Sequence, residues 1–144
     1  MYNTVKIIHS YWAYFVLLVL IIASINAIMK SLRGKEYEAK DFRISLFTLI
    51  ISHIQLLIGL ILYFLSSKVV FSKETMGNTI TRFFTVEHIL GMVLAIALVT
   101  IGYSKSKKAK NHKKILLFYA LALVVIFLSI PWPFREALGV ANWA

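Results

Sequence analysis

Four long apolar stretches, 7–29, 44–67, 83–103 and 115–130, dominate this 144-residue chain and limit what it can fold into. An α-helix rises about 1.5 Å per residue, so about 20 apolar residues cover the roughly 30 Å hydrocarbon core of a bilayer. Each stretch therefore predicts a spanning helix. The fourth is shorter and closes on Pro131-Trp132-Pro133, residues suited to an interface. The first has only Lys6 ahead of it, is longer than the apolar core of a typical secretion signal and lacks a small-x-small cleavage site, so it reads as a helix of the mature chain. The expected fold is all-α: one integral membrane domain over 1–144, an up-down-up-down four-helix bundle with helices 1 and 3 on one diagonal and 2 and 4 on the other.

Charge sets the expected orientation. The net charge is +10, yet the basic residues form short clusters between apolar runs rather than one polar face, which excludes a nucleic-acid surface in favour of a membrane reading. Lys30, Arg33, Lys35, Lys40 and Arg43 lie in the first connection and Lys105, Lys107, Lys108, Lys110, Lys113 and Lys114 in the third, eleven of the sixteen basic residues. Lys6, Lys68, Lys73, Arg82 and Arg135 are spread over the other side. The positive-inside rule puts the two basic loops in the cytoplasm and both termini outside it. Trp12, Trp132 and Trp143, with Tyr2 and Tyr11, fit an aromatic belt on the outer side. There is no cysteine, so disulfides, thiolate metal sites and covalent haem attachment are excluded. No nucleophile constellation, paired carboxylates or phosphate loop is present, which argues against a hydrolase.

Three of the four histidines, His9, His53 and His88, lie within or at the edge of apolar runs, where an ionisable residue is costly. His112 sits in the third basic connection and reads as a solvated loop residue. At the helical rise, His9 and His88 lie roughly 3 and 8 Å below the outer boundary, and His53 roughly 14 Å in from the inner side. A haem held by two imidazoles needs its helices further apart than direct packing; with neighbours about 9 Å apart, diagonal axes stand roughly 13 Å apart. Helices 1 and 3 are such a pair, so His9 and His88 fit as axial ligands of haem iron. The diagonal partner of His53 carries no His, Met or Cys, which counts against a second such haem. His53, Gln55 and Gly59 form a polar and small cluster open to three readings: an interhelical hydrogen-bonding site, a haem contact or part of a quinone pocket. His88, Gly91 and Ala95 share one face of helix 3, allowing a flat macrocycle or another helix to approach. Arg82 and Arg135 are candidates for a haem propionate, and Glu87 for pairing with arginine or orienting a histidine.

The order Ile8-His9-Ser10, Ser52-His53-Ile54-Gln55, Val86-Glu87-His88 and Pro131-Trp132-Pro133-Phe134-Arg135 resembles, nearly end to end, the small bacterial four-helix membrane proteins of the cytochrome b family. Glu87-His88 and the Gln55-to-Gly59 spacing are also similar to half of a haem A synthase bundle. The resemblance implies haem b, histidine ligation and electron transfer in a bacterial inner membrane. It leaves two leading functional readings open, ahead of an enzyme acting on haem or quinone and of a transporter. In one, the chain is an electron-transfer protein, more than a self-contained enzyme, exchanging electrons with quinol or a respiratory or periplasmic partner. In the other, it is a non-redox membrane subunit or assembly factor whose histidines bind a metal or hydrogen-bond between helices. A chain this small also suits a homo-oligomer or a subunit of a larger complex.

Overall fold

The computed structural model describes residues 1–108, 112–132 and 134. Arg135, a candidate site residue, lies outside the described residues, as do Pro133 and Trp143. The architecture is all-helical among the described residues: α1 (Tyr2–Arg33), α2 (Ala39–Leu65), α3 (Thr79–Ser106) and α4 (His112–Ser129). The first three are long and apolar enough to cross a membrane.

The helices begin and end where local chemistry stops them rather than where the apolar runs end. α1 continues past the apolar run to Gly34, which adopts φ +62° and donates its N–H to the Lys30 and Ser31 carbonyls. Glycine takes that left-handed turn without a Cβ clash, and Lys30 and Arg33 in the last turn complement the helix dipole. α2 starts five residues ahead of its apolar run, on a reciprocal cap in which Glu38 and Asp41 each accept the other's backbone N–H. It ends at Leu65 rather than at 67. Asn78 caps α3 by accepting from the Ile80 and Thr81 amides. Pro131 closes α4 by disfavouring helical geometry in the residue before it.

Four interfaces build the bundle, α1–α2, α2–α3, α3–α4 and α4–α1, leaving α1 opposite α3 and α2 opposite α4. Each helix turns a seam spaced alternately four and three residues toward the centre. These seams are Val16, Leu20, Ala23 and Ala27 on α1; Asp41, Ser45, Thr48 and Ser52 on α2; Ala95, Val99, Gly102 and Ser106 on α3; and Ile115, Tyr119, Ala122 and Ile126 on α4. This 3.5-residue repeat is that of bundles whose helices cross at about 20°. Small residues bring the backbones close. A Cβ on Gly102 would stand 2.5 Å from the Tyr119 ring, and one on Gly91 would stand 2.0 Å from Ser129 Oγ.

The seam of α2 is polar while its outward face carries Phe47, Ile50, Leu57, Ile61 and Phe64, all exposed. Asp41, fully buried, is met by Lys30 Nζ at 3.0 Å and by Asn26 Nδ2 at 2.9 Å, and it accepts the Glu38 N–H at 2.7 Å. Three ties run along α1 and α2 in opposite sequence order: Gln55 to His9, Trp12 to Ile51 and Asn26 to Asp41.

Candidate functional site

His9 and His88 meet across the diagonal, at the end of the bundle carrying the 66–78 loop. Their ring centres are 6.2 Å apart and their planes 78° apart. The two residues are held differently. His9 stands on α1, where Gln55 Nε2 donates to its backbone carbonyl at 2.9 Å, fixing α2 against that turn. The ring lies over Gly59: a Cβ there would fall 2.9 Å from His9 Cε1, so only glycine leaves the imidazole its place. His9 Nδ1 is buried with no hydrogen-bond partner, as are Gln55 Oε1 and Ser52 Oγ, one and two turns along α2 from Gly59.

His88 owes its direction to a break in helical regularity. Phe83–Glu87 form a π turn, with the His88 N–H reaching back to the Phe83 carbonyl. One extra residue in a turn rotates the rest of the helix by about 100°, and such turns recur at functional sites. The segment also pins the neighbouring loop. Tyr63 on α2 donates to the Thr85 carbonyl at 2.7 Å, and Thr85 Oγ1 accepts the Val70 N–H at 2.9 Å. The Val70 carbonyl in turn accepts from the Thr75 hydroxyl. His88 Nδ1 lies 2.7 Å from the Ser129 carbonyl on α4. A carbonyl can only accept, so Nδ1 carries the proton and, in the neutral ring, Nε2 holds the lone pair.

Both imidazoles line a cavity of about 160 Å³, walled mainly by apolar side chains that include Leu56, Phe84, Met92 and Ile126. Small-molecule pockets usually run to roughly 300–1,000 Å³, so a larger flat ligand enters only as flexible wall residues such as Met92 give way. Lys6 and Lys68 also line the cavity, and no Asp or Glu does.

The remaining candidates stand elsewhere. His53 is exposed, one residue beyond the buried seam position Ser52, and its Nδ1 lies 2.8 Å from the Leu49 carbonyl of its own helix. Gly91 faces Ser129 on α4, so of the two partners open to it, helix or macrocycle, it meets the helix. Arg82 is engaged with Glu87 at 2.8 Å and with the Met76 carbonyl at 3.1 Å, and it does not line the cavity. Trp12 spends its indole N–H on the Ile51 carbonyl, joining α1 to α2. No cluster of three or more His, Cys, Asp or Glu suited to a metal ion occurs among the described residues. The sequence reading missed Lys6, Lys68 and Ser129 as site residues. The one signal was spacing, and for Lys6 alone, which falls three residues before His9. No protein-family model, curated protein or solved structure matches this chain.

Proposed function

We propose that this chain is an integral membrane b-type cytochrome that binds one haem between His9 and His88 and exchanges electrons at the outer side of a bacterial inner membrane. The observation that carries the reading is the separation of the two imidazoles. A metal–nitrogen bond is about 2 Å, so two imidazoles on opposite sides of one ion put their ring centres roughly 6 Å apart. His9 and His88 stand at 6.2 Å. His88 is already in the tautomer that offers Nε2, through the kind of carbonyl bond that orients ligating histidines. Two imidazoles match the protein donors of a bis-histidine haem and fall short of the three or four of a zinc site. One-electron exchange is the chemistry that such a group supplies. The chain's part is to hold two neutral imidazoles apart, exclude water with apolar walls and set the surrounding polarity.

Membrane insertion is supported by the inverted polarity of α2, with its polar side chains inward and large apolar ones outward. In water so continuous an apolar exterior is a liability; in lipid it is the favourable face. On this reading α4 is the fourth crossing, the bundle runs up-down-up-down, and the basic loops face the cytoplasm. Quinol or a periplasmic redox protein is the expected electron partner.

The test is a reduced-minus-oxidised visible spectrum of the detergent-purified protein. Sharp α and Soret bands are expected, retained in His53→Ala and lost in both His9→Ala and His88→Ala. A second reading, a non-redox subunit whose histidines join helices or bind another metal, draws on the bond from His88 to the Ser129 carbonyl. A protein that stays colourless after haemin supplementation sinks the cytochrome and leaves this one.

A further inference from the structure

We propose that Lys6 and Lys68 form a carboxylate clamp at the mouth of the cavity, which receives an apolar ligand whose acidic groups point out of the bundle toward the 66–78 loop. The cavity wall holds two lysines and no acidic residue, so an apolar space carries uncompensated positive charge. Neither lysine has a carboxylate within ion-pairing distance among the described residues. A ligand with an apolar body and acidic groups at one end complements both features.

Each lysine is associated with the chain next to one of the imidazoles. Lys6 precedes His9 by three residues, about 4.5 Å toward the helix start on the same face. Lys68 sits with its ammonium 4.8 Å from the ring centre of Phe84, which precedes His88 by four residues. Lys6 thus belongs to the turn before His9, and the Lys68 ammonium lies against the turn before His88. Lys68 is also held by the fold, since its loop is fastened to the π turn through Val70 and Thr85. Arg82, the more obvious cation by sequence, is taken by Glu87. Resting on the haem reading, the clamp binds the two propionates and thereby sets which edge of the macrocycle faces outward.

The experiment compares haemin, haemin dimethyl ester and oleate as ligands of the full chain in detergent, by spectral titration or, for oleate, by competition with a fluorescent fatty acid. The proteins are wild type, Lys6→Met, Lys68→Met, the double variant and the paired Lys→Arg controls. Half-buried ion pairs of this kind predict that wild type binds haemin about tenfold more tightly than its ester. The double Met variant should lose that preference and the Arg variants should keep it. Equal binding of haemin and ester by wild type, or an equal loss of both in the Met variants, overturns the clamp while leaving the imidazole ligation intact. Binding of oleate that depends on Lys6 and Lys68, with no binding of haemin, upholds the clamp and overturns the haem reading.

Discussion

Gly91→Ala tests whether the α3–α4 contact positions His88. The new methyl would stand 2.0 Å from Ser129 Oγ and 2.9 Å from Ser129 Cβ. The hydroxyl can rotate away, but the Cβ moves only with its backbone. Carbon atoms pack at about 3.5–4.0 Å, so α4 must retreat by roughly 0.6–1 Å near Ser129. That takes the Ser129 carbonyl from 2.7 Å to beyond the usual range from His88 Nδ1. Overpacking costs about 1–3 kcal/mol and the lost hydrogen bond about 1 kcal/mol. Replacing glycine by alanine in a helix returns about 1 kcal/mol, leaving a net loss of about 1–3 kcal/mol. Denaturation in detergent should show it, in a cycle with two partner changes. Ser129→Ala removes only the hydroxyl and should relieve little of the clash, whereas Ser129→Gly removes both atoms and should relieve most of it. Gly102→Ala, roughly 16 Å along the same helix, should add independently. Wild-type stability in Gly91→Ala, or equal rescue by Ser129→Ala and Ser129→Gly, would refute the reasoning.

Lys30→Met leaves the Asp41 carboxylate buried without its cation and is expected to cost about 3–5 kcal/mol, with the double change Lys30→Met/Asp41→Leu recovering most of it in the same denaturation assay. If Lys30→Met alone proves neutral, the Asn26 and Glu38 bonds suffice for Asp41. Gly59→Ala drives the His9 ring from its place, so haemin affinity should fall at least tenfold with little loss of helix content; unchanged titration would separate His9 from ligation. Thr85→Val removes the acceptor of the Val70 amide, so the 66–78 loop should become faster in amide hydrogen exchange while α1 and α2 stay protected. Because the chain has no cysteine, Met76→Cys and Lys108→Cys give clean topology reporters: an impermeant maleimide should label the first from outside the cell and the second only after permeabilisation, and the reverse pattern inverts the proposed orientation.

The sequence made the helices legible and their ends much less so. Apolarity marks where lipid would stop, while a helix continues until its caps stop it, which is why Glu38 and Asn78 extend α2 and α3 beyond their apolar runs. The pairing of His9 with His88 followed from depth and diagonal placement, both consequences of helical rise and helix order. The direction of His53 was also available, from the polar positions 41, 45, 48, 52 and 55 and the glycine at 59, at alternating spacing; residue 53 lies about 100° off that line. In a helix apolar on its outer face, small and polar residues mark the inside, the reverse of the usual hydrophobic reading. The π turn left no such mark, since Phe83-Phe84-Thr85-Val86-Glu87 contains neither glycine nor proline.

The two imidazoles belong to different hairpins. α1 and α2 are tied by Trp12, Gln55 and the Asn26–Asp41–Lys30 cluster, and α3 and α4 are zipped by Gly91 and Gly102. The cavity therefore sits on the joint between two halves that each have their own internal fastening. On the proposed reading, a ligand bonded to His9 and His88 would act as a rivet through that joint, holding the halves together as well as itself. Loss of such a ligand should then loosen the α1–α4 and α2–α3 seams before it unravels either hairpin.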